Sequence, residues 1–96
     1  MSFDIDFSED AERHLADLRA YARTRIVDEI EVQLTHQPEA RSRNRKELKD
    51  HPLARWELRV GDWRVFYNVL PDEGVVRITA IGKKVRSGVI IDNKEM

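Results

Sequence analysis

A Gly-Asp pair at 61–62 interrupts the stretch WELRVGDWRVFYNV, which runs from Trp56 to Val69. Short alternating apolar segments flank the pair, and no other feature constrains the fold as tightly. A two-residue turn with glycine first is a hairpin signal. It predicts strands over about 54–60 and 63–70 and fixes their register. Val60 then pairs with Trp63, Leu58 with Val65, and Trp56 with Tyr67, which gives one apolar face. The opposite face receives Arg55, Glu57 and Arg59 from one strand and Arg64, Phe66 and Asn68 from the next. Arg59 and Arg64 fall directly across from each other. Like charges so placed are destabilising, so something must offset them: a bound anion, or Glu57 beside them.

The rest of the chain supplies a cover for the apolar face. Phe3, Ile5 and Phe7 alternate with Asp4 and Asp6, the pattern of a half-buried strand. Ser8 suits a helix N-cap, and Glu9 and Asp10 suit the positive end of that helix. Ala11, Leu15, Leu18 and Ala22, then Ile26, Ile30 and Leu34, recur at three- and four-residue steps, an amphipathic helical pattern. A single helix of that length is unusual in a small domain. A break near Arg19–Thr24 and two antiparallel helices are therefore expected, the second ending at His36-Gln37-Pro38. Residues 38–54 are polar, carry Pro38 and Pro52, and read as a loop. A third meander strand is expected over 75–82 after the turn Pro71-Asp72-Glu73-Gly74, with a short last strand at Val89–Ile91. The expected fold is a single α+β domain over residues 1–96, of order β-α-α-β-β-β. A helical hairpin would pack on one face of a small, mainly antiparallel sheet.

Composition removes several function classes. The 96 residues contain no cysteine, so no disulfide, thiolate metal site or thiol nucleophile is available. No Gly-rich phosphate loop, Walker pattern or zinc spacing appears, so no cofactor or metal is expected. The acidic N-terminus has no long apolar run and no stretch is long enough to span a membrane. A cytoplasmic protein without membrane contact is expected. The net charge of −1 conceals two unlike halves. Residues 1–40 carry four arginines against ten carboxylates, and residues 41–96 carry thirteen basic residues against eight acidic ones. Such halves either neutralise each other within the fold or make a basic and an acidic face.

The arginine face is the sharpest candidate site. Guanidinium groups bind phosphate oxygens bidentately, and several cations around one phosphate stabilise charge developing in a transfer reaction. Phe66 on that face is a candidate base-stacking group. Two further basic runs could extend it. ARSRNRK places Arg43, Arg45 and Lys46 in the loop, and GKKVR places Lys83, Lys84 and Arg86 at a strand end. For each run the competing reading is an ordinary solvated surface. His14 reads as solvent-facing on the first helix, His36 as a helix C-terminal residue, and His51 as a loop residue within reach of the arginine face. Trp56, Trp63 and Tyr67 share the face that must be buried and read as core.

Taken together, WELRVGDWRVFYNV (56–69) and VVRITAIGKKVR (75–86) resemble the RelE/ParE toxin superfamily of bacterial toxin–antitoxin systems. The resemblance covers nearly the whole chain and is weakest over the last ten residues. It implies a small toxin neutralised by a cognate antitoxin, which rather than the toxin would contact operator DNA. In the RelE-like branch the toxin cleaves mRNA in the ribosomal A site without a metal, the ribose 2′-hydroxyl attacking the adjacent phosphate. Carried over by motif, Arg64, Lys84 and Arg86 would be catalytic. Arg55, Arg59, Lys83, Phe66, Arg43, Arg45 and Lys46 would bind substrate. Glu57 stands where the family has a basic residue and is a candidate base. The family's terminal Tyr or His is matched at about Ile90, which can do no acid–base chemistry. The ParE-like branch inhibits DNA gyrase and needs no nuclease constellation; it stands as the alternative, together with a degenerate toxin that only binds its antitoxin.

Overall fold

The computed structural model describes residues 2–86, 88–92 and 94–95. Its elements are β1 (Asp4–Phe7), α1 (Glu9–Ala16), α2 (Ala20–Leu34), β2 (Arg45–Glu47), β3 (Trp56–Val60), β4 (Trp63–Leu70), β5 (Val75–Val85), β6 (Gly88–Ile91) and β7 (Lys94–Glu95). Among the described residues the sheet has seven strands in the order β2-β3-β4-β5-β6-β7, and β1 also pairs with β5. The β1–β5 pair is parallel and the others are antiparallel. The expected α+β architecture is therefore present, with two helices on a mixed sheet. No described helix is long and apolar enough to cross a membrane.

The β3–β4 register is the one the turn dictates: Val60↔Trp63, Arg59↔Arg64, Leu58↔Val65, Glu57↔Phe66 and Trp56↔Tyr67. Gly61 has φ 59, a left-handed value that glycine takes without steric cost. Leu58, Val65, Tyr67, Val76 and Ile78 pack with Ala11, Ile26, Ile30 and Leu34 of the helices to form the main core. Tyr67 is buried there, and its hydroxyl donates to the Pro38 carbonyl at 2.7 Å.

Three features differ from the sequence expectation. The helix break falls at Asp17–Arg19, slightly earlier than expected. Neither Gly nor Pro makes it; instead the Arg23 guanidinium donates to the carbonyls of Ala16 and Leu18 at 3.4 and 3.2 Å, satisfying acceptors that the end of α1 leaves open. Residues 45–47, expected in a loop, form β2 against β3. The sequence RKE shows no apolar alternation. It is held by the Arg45 side chain, which donates to Ala40 O at 2.7 Å and to Gln33 O and Oε1 at 3.0 and 2.9 Å.

The third difference is the outer edge of β5. β1 pairs with its start and β6 with its end, which leaves Thr79–Gly82 between two partners. Side chains fill the gap. Ser8 Oγ accepts from Ala11 N and donates to Thr79 O, both at 3.1 Å. Ile81 N donates to His14 Nδ1 at 3.1 Å. His14 Nδ1 must offer its lone pair, so in the neutral ring Nε2 carries the hydrogen; it lies 3.0 Å from Asp92 Oδ2. The expectation of a solvent-facing His14 is corrected: the residue is 7% exposed. Beyond the gap, β6 passes so close that a Cβ on Gly82 would lie 2.5 Å from Ile91 Cγ1 and 2.8 Å from Ile90 O.

Candidate functional site

The sheet face away from the main core is not uniformly open. Ala54, Phe66, Ala80 and Ile91 form a second apolar cluster there, with Leu48, Leu53 and Val89 packed against it. The loop after β2 and strand β6 thus cover part of the face. The uncovered part is a cleft of about 690 Å³, lined by eight basic residues, two carboxylates (Glu47 and Glu57), Ser42 and Val89. The basic residues are Arg41, Arg43, Arg45, Lys46, Lys49, Arg59, Arg64 and Lys84.

The floor of the cleft resolves the Arg59–Arg64 repulsion. Arg64 is only 6% exposed. Its Nη1 donates to Gly61 O at 2.8 Å and to Trp63 O at 2.9 Å, and its Nε lies 3.7 Å from Glu57 Oε1. A buried cation is tolerated when it is hydrogen-bonded and near a counter-charge. Arg59 turns out to solvent. The turn also fixes the next strand, since Lys84 N donates to Asp62 O at 2.7 Å. Gly61-Asp62 therefore orients both Arg64 and the backbone at Lys84. Glu47 on the rim accepts from Arg41 at 2.5 Å. That hydrogen bond, more than any other influence, holds the Glu47 carboxylate below the usual range.

Arg64, Lys84, Arg59, Arg43 and Lys46 line this cleft, as does Arg45, whose guanidinium is committed to Gln33 and Ala40. Others lie elsewhere. Lys83 pairs with Trp63, on the helix side, and its Nζ stands 5.5 Å from the Trp63 ring centroid. Successive strand residues point to opposite faces, so Lys83 and Lys84 cannot serve one site. Arg86 is exposed in the β5–β6 turn and does not line the cleft. Arg55 is exposed beside the cleft, its Nε 3.7 Å from Glu47. Phe66, expected as an open stacking surface, is 1% exposed and lies against the His51 ring, with centroids 5.1 Å apart and planes 17° apart. Ile90 pairs with Lys83, and the β6 residue on the cleft is Val89. Arg41 and Ser42 belong to the ARSRNRK run although neither is individually a sequence candidate, and Lys49 lies beyond it; their loop positions carry no periodic signal. Among the described residues no group of carboxylates and histidines is arranged to hold a metal.

A family model described as the ParE toxin of the type II toxin–antitoxin system parDE matches residues 5–87. The fold is similar to that of the toxin–antitoxin complex RelBE2 from Mycobacterium tuberculosis, with a TM-score of 0.75 and 20% identity over 88% of this chain and 100% of that one. It is similar to the archaeal RelE–RelB complex from Pyrococcus horikoshii OT3, with a TM-score of 0.71 and 20% identity over 90% and 99%. The isolated RelE toxin of E. coli gives a TM-score of 0.68 and 21% identity over 88% and 87%. No curated protein matches the sequence.

Proposed function

The chain belongs to the RelE/ParE superfamily as a type II toxin, and from that premise we propose that it arrests translation by cleaving mRNA on the ribosome. The observation that carries this reading is the cleft in which eight basic residues surround Glu57. Arg64 is held at its floor by two carbonyls, and its Nη2 has no acceptor among the described residues. Nη2 and Lys84 would take the oxygens of the scissile phosphate. Arg59, Arg43 and Lys46 would hold the flanking phosphates by charge. As the 2′-oxygen attacks, negative charge grows on the phosphate, and preorganised cations stabilise that charge more than the ground state. Glu57, the carboxylate beside Arg64 on the floor, would accept the 2′-hydroxyl proton; as the 2′-oxygen–phosphorus bond forms, the phosphorus–5′-oxygen bond breaks, leaving a 2′,3′-cyclic phosphate and a 5′-oxygen that takes its proton from water. A cognate antitoxin is the expected protein partner; the similar solved structures include toxin–antitoxin complexes.

The test is primer extension on programmed ribosomes, with Arg59→Ala and Lys84→Ala as exposed-site variants and Arg64→Ala as the floor variant. Circular dichroism accompanies the last, because Arg64 also braces the turn. Wild type should cut within the A-site codon, and each variant should cut less, Arg64→Ala least. Folded wild type that leaves mRNA intact would overturn the reading. The gyrase alternative is favoured by the ParE description of the matching family model and by Val89 at the cleft, where β6 brings no acid or base. Inhibited supercoiling with intact mRNA would transfer the conclusion to it. Neither effect, with antitoxin binding retained, would identify a toxin that only binds its partner.

A further inference from the structure

A second cavity of about 600 Å³ adjoins the basic cleft and shares Arg41, Glu47 and Lys49 with it. Its composition is different. Three cations (Arg41, Lys49 and Arg55) are offset by Glu47 and Asp50, and its wall includes His51 and Ala54. Glu47 already pairs with both Arg41 and Arg55. A phosphate would gain little in such a balanced site, whereas a neutral heterocycle with donor and acceptor edges fits it.

The aromatic surface here is His51. Its ring lies parallel to Phe66 at 5.1 Å, and Phe66 in turn rests on the apolar cluster with Ala54, Ala80 and Ile91. The loop around it is pinned at several points. Leu48 N donates to Arg55 O at 2.7 Å, Arg55 N to Asn68 Oδ1 at 2.8 Å, and Leu53 N to His51 Nδ1 at 3.1 Å. With Nδ1 accepting that bond, the neutral ring carries its hydrogen on Nε2, which has no partner among the described residues. His51 is half-buried, so the layered pair leaves part of the imidazole accessible. A rigid, backed ring loses little freedom when a planar ligand stacks on it.

We propose that His51 is the stacking platform for a nucleobase next to the phosphate held in the basic cleft. Phe66 is its backing rather than the contact surface. The inference rests on the reading of the cleft as an RNA site. It assigns the base subsite to the β2–β3 loop.

The experiment compares the purified chain binding a short RNA with its binding an abasic ribose-phosphate strand of equal length, both fluorescently labelled and at one salt concentration. Stacking of one base is worth roughly 5- to 150-fold in affinity, so wild type should prefer the base-bearing strand at least about fivefold. His51→Ala should bring that ratio close to one without weakening abasic binding, and His51→Phe should restore it. Quenching of a 2-aminopurine placed in the RNA reads stacking directly on wild type, whatever the variants do to the fold. Equal wild-type affinity for the two strands would overturn the platform and leave the anion cleft standing. Equal loss of both affinities in His51→Ala would overturn it too, since a loop collapse or charge effect acts on both strands alike. Binding of neither strand by folded wild type would overturn the platform, while primer extension on programmed ribosomes decides the RNA reading of the cleft separately.

Discussion

Replacing His14 with alanine tests how the gap in the β5 edge is held. The substitution removes the acceptor of the Ile81 N–H bond at 3.1 Å and the contact with Asp92 at 3.0 Å. A buried donor left without a partner costs about 1–3 kcal/mol. His14 is 7% exposed, and the space left under β5 adds about 1 kcal/mol of lost packing. The expected loss is thus about 2–4 kcal/mol, a large share of the stability of a domain this size. At 4–8 °C per kcal/mol for a chain of about 100 residues, the melting midpoint should fall by roughly 10 °C or more. Urea unfolding should show a lower midpoint with an unchanged slope. Amide exchange should show Ile81 losing protection ahead of its neighbours on β5. A loss below about 0.5 kcal/mol with Ile81 still protected would refute the argument, because the imidazole would then not be the group that completes the edge.

Asp92→Asn should lower the neutral-pH midpoint slightly: the amide oxygen still accepts from Nε2 and Asn tolerates the φ of 53 found there, but the ion pair with Arg13 at 2.7 Å is lost. The His14 hydrogen bond first, and Arg13 second, hold the Asp92 carboxyl below its usual range. Its folded pKa is therefore the lower one: its stabilisation is complete above about pH 4, the unfolded value, and is lost as pH falls through the folded value. Thermal melts from pH 2 to 6 should show wild type losing this part and the Asn variant lacking it. Tyr67→Phe leaves the Pro38 carbonyl without its 2.7 Å donor and should cost about 1 kcal/mol in urea unfolding. Burial also raises the Tyr67 phenol well above its ordinary range, so its neutral form stabilises the fold fully below about pH 10 and progressively less as pH rises. Absorbance titration should show late tyrosinate formation in wild type that is missing in the Phe variant. Gly61→Ala forces a side chain into φ 59, at roughly 1–2 kcal/mol, and places its Cβ 3.0 Å from the flexible end of Arg25. Because Gly61 O holds Arg64, ribosomal cleavage should fall further than the urea midpoint alone explains; unchanged cleavage would detach the turn from the site.

The hairpin was legible because its information is local. A Gly-Asp turn and period-2 alternation fix which residues oppose one another, and Arg59 does face Arg64. The same alternation, carried past Gly82, puts Lys83 and Lys84 on opposite faces, as the pairing of Lys83 with Trp63 and of Lys84 with Val89 has them. Most of the cleft floor was likewise readable from register: Glu57, Arg59 and Arg64 share one face. β2 was not readable, because an edge strand of Arg-Lys-Glu has no apolar period and is held by an arginine reaching back to Gln33.

The sequence by itself determined the order of the first strand, the two helices and the three-stranded meander, the hairpin register, the apolar face that the helices cover and the basic character of the other face. These follow from neighbours a few residues apart and from charge. Tertiary structure alone decided that Phe66 is roofed by His51, that β6 folds over Gly82, and that His14 completes a strand edge 67 residues away. Contacts that distant depend on how whole elements pack, and packing leaves no period in the sequence because each contact is made once.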